Sequence, residues 1–227
     1  MEEKVIKLAL VDNSIFPEVY KPVRHWQNVL PVDFDVFRAP EGRFPDVKEY
    51  THLIITGSEA SILERDGWVE QEIEIAKQAA AQGLSILGSC YGHQVLALAL
   101  AGSQHVRRAP VPEIGWIEIR ITSRDDILGH QQHAHVFSSH LDEVVDLPDE
   151  FTVLASSKDC RIQAFRWKNR NVWGLQIHPE ISVGEAREYL KNRVARGHEP
   201  LVLFQKALES VPRDSGLIRN VVKTFCS

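Results

Sequence analysis

Short apolar runs and longer amphipathic stretches alternate along the first hundred residues. Residues 5–11 (VIKLALV) form an apolar run closed by Asp-Asn, the pattern of a buried strand. Residues 14–30 have mixed helical spacing, and residues 32–37 alternate as a strand does. Residues 52–56 (HLIIT) are a second apolar run, stopped by Gly57. Residues 66–82 carry Trp68, Val69, Ile73, Ala76 and Ala80 at helical spacing and stop at Gly83. Residues 84–87 read as a strand and residues 91–101 as a helix ended by Gly102. Strands alternating with helices predict a parallel sheet with helices on both faces.

The rhythm then changes. Residues 116–121, 134–138, 152–155, 162–167 and 172–176 are short, alternating and separated by turn residues, which predicts mostly antiparallel strands. Helical spacing returns at 187–196, 201–211 and 217–225. No repeat, low-complexity tract or linker interrupts the chain, so the expectation is one domain over residues 1–227, with C-terminal helices from about 185.

Composition narrows the class. At 44% hydrophobic and 25% charged, the 227 residues suit an ordinary globular protein with a sizeable core. The net charge of −5 argues against nucleic acid or an anionic membrane as the main partner. Cys90, Cys160 and Cys226 are too few, and odd in number, for a disulfide framework. The start, Met-Glu-Glu-Lys, has no apolar signal region, and no apolar run has membrane length. A reducing cytoplasmic setting is expected, and it suits a thiol catalyst.

The chemistry sits in two segments. In Leu87-Gly88-Ser89-Cys90-Tyr91-Gly92-His93-Gln94 a strand turns directly into a helix. The residue at such a bend is held strained and exposed above the sheet, and Cys90 there lies at a helix N-terminus that favours a thiolate. Gly88 and Gly92 keep side chains clear of the bend, and Gln94 lies one turn up the same helix face. A buried structural cysteine is the plain alternative. The second segment is Gln176-Ile177-His178-Pro179-Glu180. Pro179 pushes His178 into extended backbone, where residues two apart project to one side, so the Glu180 carboxylate can orient the His178 ring. Taken alone, His-Pro-Glu is equally a strand-end turn; its weight comes from the cysteine upstream.

Both segments resemble the class I glutamine amidotransferases. The family's Gly-x-Cys-x-Gly-x-Gln elbow is met by Gly88, Cys90, Gly92 and Gln94, and its Gln-x-His-Pro-Glu by Gln176, His178, Pro179 and Glu180. The nearest branch is that of the amidotransferase domain of GMP synthetase and its stand-alone relatives. Tyr91 fits it, as does Ser139-His140-Leu141-Asp142-Glu143-Val144 followed by Leu147-Pro148. The resemblance implies a flavodoxin-like three-layer α/β/α sandwich with a mixed, mostly parallel central sheet. It also implies Cys90, His178 and Glu180 as the catalytic triad, forming a γ-glutamyl thioester on Cys90 without a cofactor. Gly57, Ser58 and Tyr91 are the implied oxyanion-hole residues, and Gln94, Ser139, His140 and Asp142 the implied glutamine-binding residues. The implied partners are glutamine or another γ-glutamyl compound, and a separate ammonia-accepting synthetase.

The chain departs from that pattern in places. Leu141 stands where a glycine is usual, and Thr56-Gly57-Ser58-Glu59 replaces a Gly-Gly-Pro loop. Neither a Ser-Gly-Gly-Val-Asp-Ser-type phosphate loop nor a Walker-type loop occurs, so these residues cannot adenylate a nucleotide. His130, His133, His135 and His140 crowd one segment without a carboxylate or cysteine cluster at ligand spacing, and no metal is expected. Arg107 and Arg108, before a Pro-rich turn at 109–112, read as solvated, and Cys160 and Cys226 as non-catalytic. Three functions remain open: an ammonia-supplying amidotransferase, a γ-glutamyl peptidase or hydrolase using the same triad, and a silent regulatory protein, against which the intact triad argues.

Overall fold

The computed structural model describes residues 5–65 and 67–227. Residues 1–4, and Asp66 at the expected start of the 66–82 helix, lie outside the described residues. The strands are β1 (Leu8–Asp12), β2 (Phe34–Arg38), β3 (His52–Ile55), β4 (Ser85–Ser89), β5 (Val106–Ile121), β6 (His133–Val144), β7 (Phe151–Ser156), β8 (Ala164–Trp167) and β9 (Val172–Leu175). The helices are α1 (Pro22–Gln27), α2 (Val69–Ala81), α3 (Tyr91–Leu100), α4 (Val183–Ala195), α5 (Leu201–Glu209) and α6 (Ile218–Phe225).

One mixed sheet has the order β2-β1-β3-β4-β9-β8-β7-β5-β6. Pairing is parallel from β2 through β9 and antiparallel from β9 through β6. Strands β1, β3, β4 and β9 are buried on both faces, which is why they read as continuous apolar runs, while β2 at the sheet edge is partly exposed and alternates. In β1, Leu8 and Leu10 join the core under Trp26 and α6, while Ala9 and Val11 join the core under α2 and α3. This is the flavodoxin-like arrangement of a sheet between helical layers. A third cluster seats Phe204 and Ala207 of α5 with Tyr189 and Leu190 of α4 against Phe137 of β6.

Several boundaries differ from the sequence pattern. Only Pro22–Gln27 of the 14–30 stretch is helical; a proline opens it, as fits a first-turn position. Helix α4 begins at Val183 rather than 187 because Ser182 and Glu185 form a reciprocal capping box. Strand β5 starts at Val106, and the expected Pro-rich turn at 109–112 is part of it. Arg108 pairs with Asp142 and Glu113 with His140, so four residues on β5 face Leu141 alone on β6. Pro110 and Pro112 cannot donate to the ladder, and the strand bulges instead of turning.

The core of α2 also holds a carboxyl. Glu72 is fully buried, and its side-chain oxygens have no donor. Burial pushes it up to about 8, against the pull of the Asn13 amide. A neutral Glu72 can donate to Asn13 Oδ1, which has no other donor. Because the folded pKa lies above the usual 4.5, this group costs nothing below that pH. The cost grows as pH rises toward 8. Glu72→Gln, which keeps a donor without a charge, should therefore raise stability at pH 9 by on the order of a few kcal/mol and far less at pH 4. Denaturant melts of both proteins across that range provide the measurement; a pH-independent difference would contradict it.

Candidate active site

Strands β4 and β9 are parallel neighbours, so both end at the same edge of the sheet, with Ser89 beside Leu175. Binding sites in open parallel sheets form beyond these carboxyl ends. Cys90 follows β4 directly, its N–H donating to the Leu175 carbonyl at 2.7 Å. Its φ of 50° and ψ of −102° are strained for a residue with a side chain, and α3 begins at Tyr91. Gly92 is required here, because a Cβ would run into the Ile55 carbonyl of β3. The bend matches the expected elbow, but the expected exposure does not hold. Cys90 is 4% exposed, because β6, the 58–61 loop and α4 roof it over. Its sulfur faces a cavity of about 290 Å³. The sulfur lies 3.5 Å from the Ser139 carbonyl oxygen.

His178 lies just past β9, where its N–H is tied to the Phe137 carbonyl of β6 at 2.9 Å. Its Nδ1 meets Glu180 Oε1 at 2.8 Å. Ser89 Oγ donates to both Glu180 oxygens, at 3.1 and 3.2 Å, and the Tyr20 hydroxyl donates at 3.4 Å. The Tyr20 ring stands edge-on to His178 with centroids 5.8 Å apart. Burial opposes a charge on His178, but the Glu180 carboxylate and the Cys90 sulfur outweigh it and lift the ring to about 10. Burial likewise pushes Glu180 up, yet the His178 charge and hydrogen bond hold it below the usual range. The pair is therefore an imidazolium–carboxylate ion pair at neutral pH.

The 56–58 loop crosses in front of this pair. A Cβ on Gly57 would lie 2.8 Å from both His178 Cε1 and the Tyr20 hydroxyl, so the loop approaches only as glycine. Asn13 fixes it: its N–H donates to Thr56 Oγ1, its amide to the Thr56 carbonyl, and its carbonyl accepts from Ser58 Oγ.

Ser58, Tyr91, Gln94, Ser139, His140 and Asp142 all line the Cys90 cavity, with Leu141 beside them. Their side chains are variously engaged. The Gln94 amide donates to the Asp142 carbonyl at 2.9 Å, and Ser139 Oγ meets the Tyr189 hydroxyl at 3.0 Å. Both His140 nitrogens are committed, to Glu113 and to the Asp142 carbonyl. The Asp142 carboxylate pairs with Arg108 at 3.0 Å and accepts from Ser61. Arg107 and Arg108 are exposed, as expected, and each also pairs across the hairpin, with Glu143 and Asp142 respectively.

Among the described residues, the group able to hold a metal is Glu113, His140 and Cys160, whose ligand atoms lie within 4.8 Å of one another. Glu113 already bonds to His140 and accepts from Gln163, and the Cys160 thiol donates to the Ile162 carbonyl at 3.7 Å. Burial pushes the Cys160 thiol up to about 12, far from a thiolate ligand. Of the crowded histidines, His133 and His135 both face Glu118.

Sequence reasoning missed Tyr20, Glu59, Tyr189 and Arg193. Tyr20 lies in a loop and Glu59 in a turn, where no periodicity marks them. Ser89 could have been found, since it is the residue that sets the Glu180 carboxylate from inside the elbow motif.

The class-I glutamine amidotransferase family model matches residues 14–196, and the chain belongs to that family. A component of the glutamine-hydrolysing GMP synthase of Methanothermobacter thermautotrophicus is 37% identical over 155 residues, covering 68% of this chain and 73% of that protein. Its counterpart in Methanosarcina mazei is 44% identical over 159 residues, covering 68% and 72%. A glutamine amidotransferase structure from Thermotoga maritima superposes with a TM-score of 0.76 at 20% identity, covering 97% of this chain and 98% of that one, a likeness of fold.

Because Glu180 is the largest influence raising His178, Glu180→Gln should lower the pKa of the His178 ring from about 10 toward or below the ordinary 6.5. Titration of the ring Cε1–H by NMR reads this directly. An unmoved titration would show that the carboxylate is not what holds the charge.

Proposed function

We propose that this chain hydrolyses the side-chain amide of glutamine, or of a related γ-glutamyl amide, through a γ-glutamyl thioester on Cys90. The observation that carries the reading is the strained, buried cysteine beside an imidazolium that Glu180 holds charged. In this reading Cys90 reacts as a thiolate, its proton already held by His178, and the sulfur attacks the side-chain carbonyl carbon. The N–H groups of Tyr91 and of the Gly57–Ser58 loop receive the oxyanion; such donors contribute roughly 3–4 kcal/mol each. His178 gives its proton to the departing nitrogen, the C–N bond breaks, and ammonia leaves. His178 then takes a proton from water, whose oxygen displaces the sulfur and releases glutamate. Glu180 stays ionised throughout and only orients and stabilises the ring. Gln94 and the 139–142 segment, partly through its backbone, hold the α-amino and α-carboxylate groups. No cofactor enters these steps. The relatives are components of a glutamine-hydrolysing GMP synthase, which supports a separate synthetase as the destination of the ammonia.

A second reading, γ-glutamyl peptidase, rests on Leu141. It lines the cavity opposite the bulge of β5, where a glycine would leave more room beside the glutamine α-carbon.

Two sets of measurements test these readings. Cys90→Ala should abolish turnover, and 6-diazo-5-oxo-norleucine should label Cys90 while sparing buried Cys160 and half-buried Cys226. His178→Ala should lose about 10²–10⁴-fold or more, and Glu180→Gln less. Adducts on another cysteine, or wild-type turnover by Cys90→Ala, would refute the mechanism. Separately, Leu141→Gly should raise kcat/KM for free glutamine several-fold, since relieving one crowded contact is worth about 1–3 kcal/mol. Robust wild-type glutaminase activity unimproved by the glycine would make Leu141 neutral and favour the amidotransferase reading.

A further inference from the structure

The cavity above Cys90 contains a cation without a full counter-charge among the described residues. Arg193, from the last turn of α4, is 8% exposed and lines that cavity. Two aromatic faces hold its guanidinium: Tyr189, one turn earlier, at 5.9 Å, and Phe204 of α5 at 4.6 Å. Among the described residues no carboxylate comes within ion-pair distance, and its buried Nε has no acceptor. Glu59 is the acidic group that feels it, and burial drives that carboxyl up to about 7, so it is a partial counter-charge at best. Burying an arginine without an anion is costly unless a ligand brings the anion.

Position selects which anion. Glu59 and Tyr189 line the Cys90 cavity together with Arg193. They also line the cleft that reaches Tyr20, Phe137 and His178. Arg193 itself lines the Cys90 cavity, and Tyr189, whose ring carries its guanidinium, ties it to the wall shared with the His178 cleft, from which the proposed leaving group departs. Of the groups that take the glutamyl α-groups in the proposed mechanism, Gln94, His140 and Asp142 line the Cys90 cavity and not the His178 cleft, while Ser139 lines both. The aromatic brace also depends on α5, which lies beyond the residues matched by the family model.

We propose that Arg193 is a carboxylate subsite for the leaving amine, so that the preferred substrates are γ-glutamyl amides of amino acids rather than glutamine itself. This rests on γ-glutamyl chemistry at Cys90 and names its substrate class. The reaction balances as before. The Cys90 sulfur bonds to the γ-carbonyl carbon, and the amide C–N bond breaks. The amino acid departs with the His178 proton and its carboxylate on Arg193, and water releases glutamate.

The test compares γ-glutamylglycine with γ-glutamylmethylamide, which differ only in the carboxylate. Wild type should favour the glycine compound in kcat/KM by about tenfold or more, mostly through KM. Arg193→Met should bring that ratio close to one, and Arg193→Lys should restore part of it, since a lysine offers the charge without the fork. A wild-type ratio near one overturns the subsite, whatever the variants do. So does an Arg193→Met protein that loses both substrates equally, because that marks a packing role. If neither compound nor glutamine is hydrolysed and Cys90 resists 6-diazo-5-oxo-norleucine, the γ-glutamyl chemistry itself falls, and the subsite with it.

Discussion

The site depends on one pairing, the parallel ladder between β4 and β9. These strands are far apart in the chain, and everything between them, including the whole antiparallel half of the sheet, is looped out so that Ser89 lies beside Leu175. The hydrogen bond from the Cys90 N–H to the Leu175 carbonyl closes the ladder one residue beyond β4. That bond sets the elbow and brings the stretch holding His178 to the same edge. A parallel sheet ends all its strands in one direction, so residues at successive strand ends converge without any loop having to find another. Gly92 then lets the first turn of α3 press against β3.

What this edge holds is electrostatically expensive. His178 and Glu180 are both nearly without solvent, and burying an ion pair gains little stability unless its remaining polar atoms are satisfied. Here Ser89 and Tyr20 satisfy the carboxylate, and Glu180 with the Cys90 sulfur sustains the charge on the ring. The arrangement is a poor way to stabilise a fold and a good way to hold a proton ready for the leaving nitrogen of the proposed reaction. The positive φ at Cys90 fits the same trade: strain of about 1–3 kcal/mol persists because the surrounding sheet over-determines the bend.

The doubly wound half of the fold was legible because buried parallel strands are uninterrupted apolar runs, and the bend at Cys90 was legible because elbow geometry demands glycines at set offsets. The antiparallel half was legible in type but not in extent. Strands β5 and β6 run well beyond their alternating segments because hairpin pairing continues across a bulge that prolines disguise as a turn. The burial of Cys90 was illegible for a related reason. Its roof comes from β6, the 58–61 loop and α4, and local sequence around the cysteine carries no trace of them. Tyr20, Glu59 and Arg193 reach the site through tertiary packing alone, and each lies in a segment whose own pattern is unremarked or serves another purpose, as the helical spacing around Arg193 does.

The layers of the molecule divide the chemistry. The sheet edge and α3 supply the bend, Cys90 and the His178–Glu180 pair, and these lie within the span matched by the family model. The third core cluster, in which α4 and α5 pack on Phe137, caps that edge from outside the sheet. Because Phe204 and Tyr189 belong to that cluster and also brace Arg193, the packing that fastens α5 to the sheet is the packing that fixes the cation over the cavity. Loosening α5 would therefore free the guanidinium to reach solvent, leaving the sheet-edge chemistry in place while removing the charge that the proposed leaving group would meet.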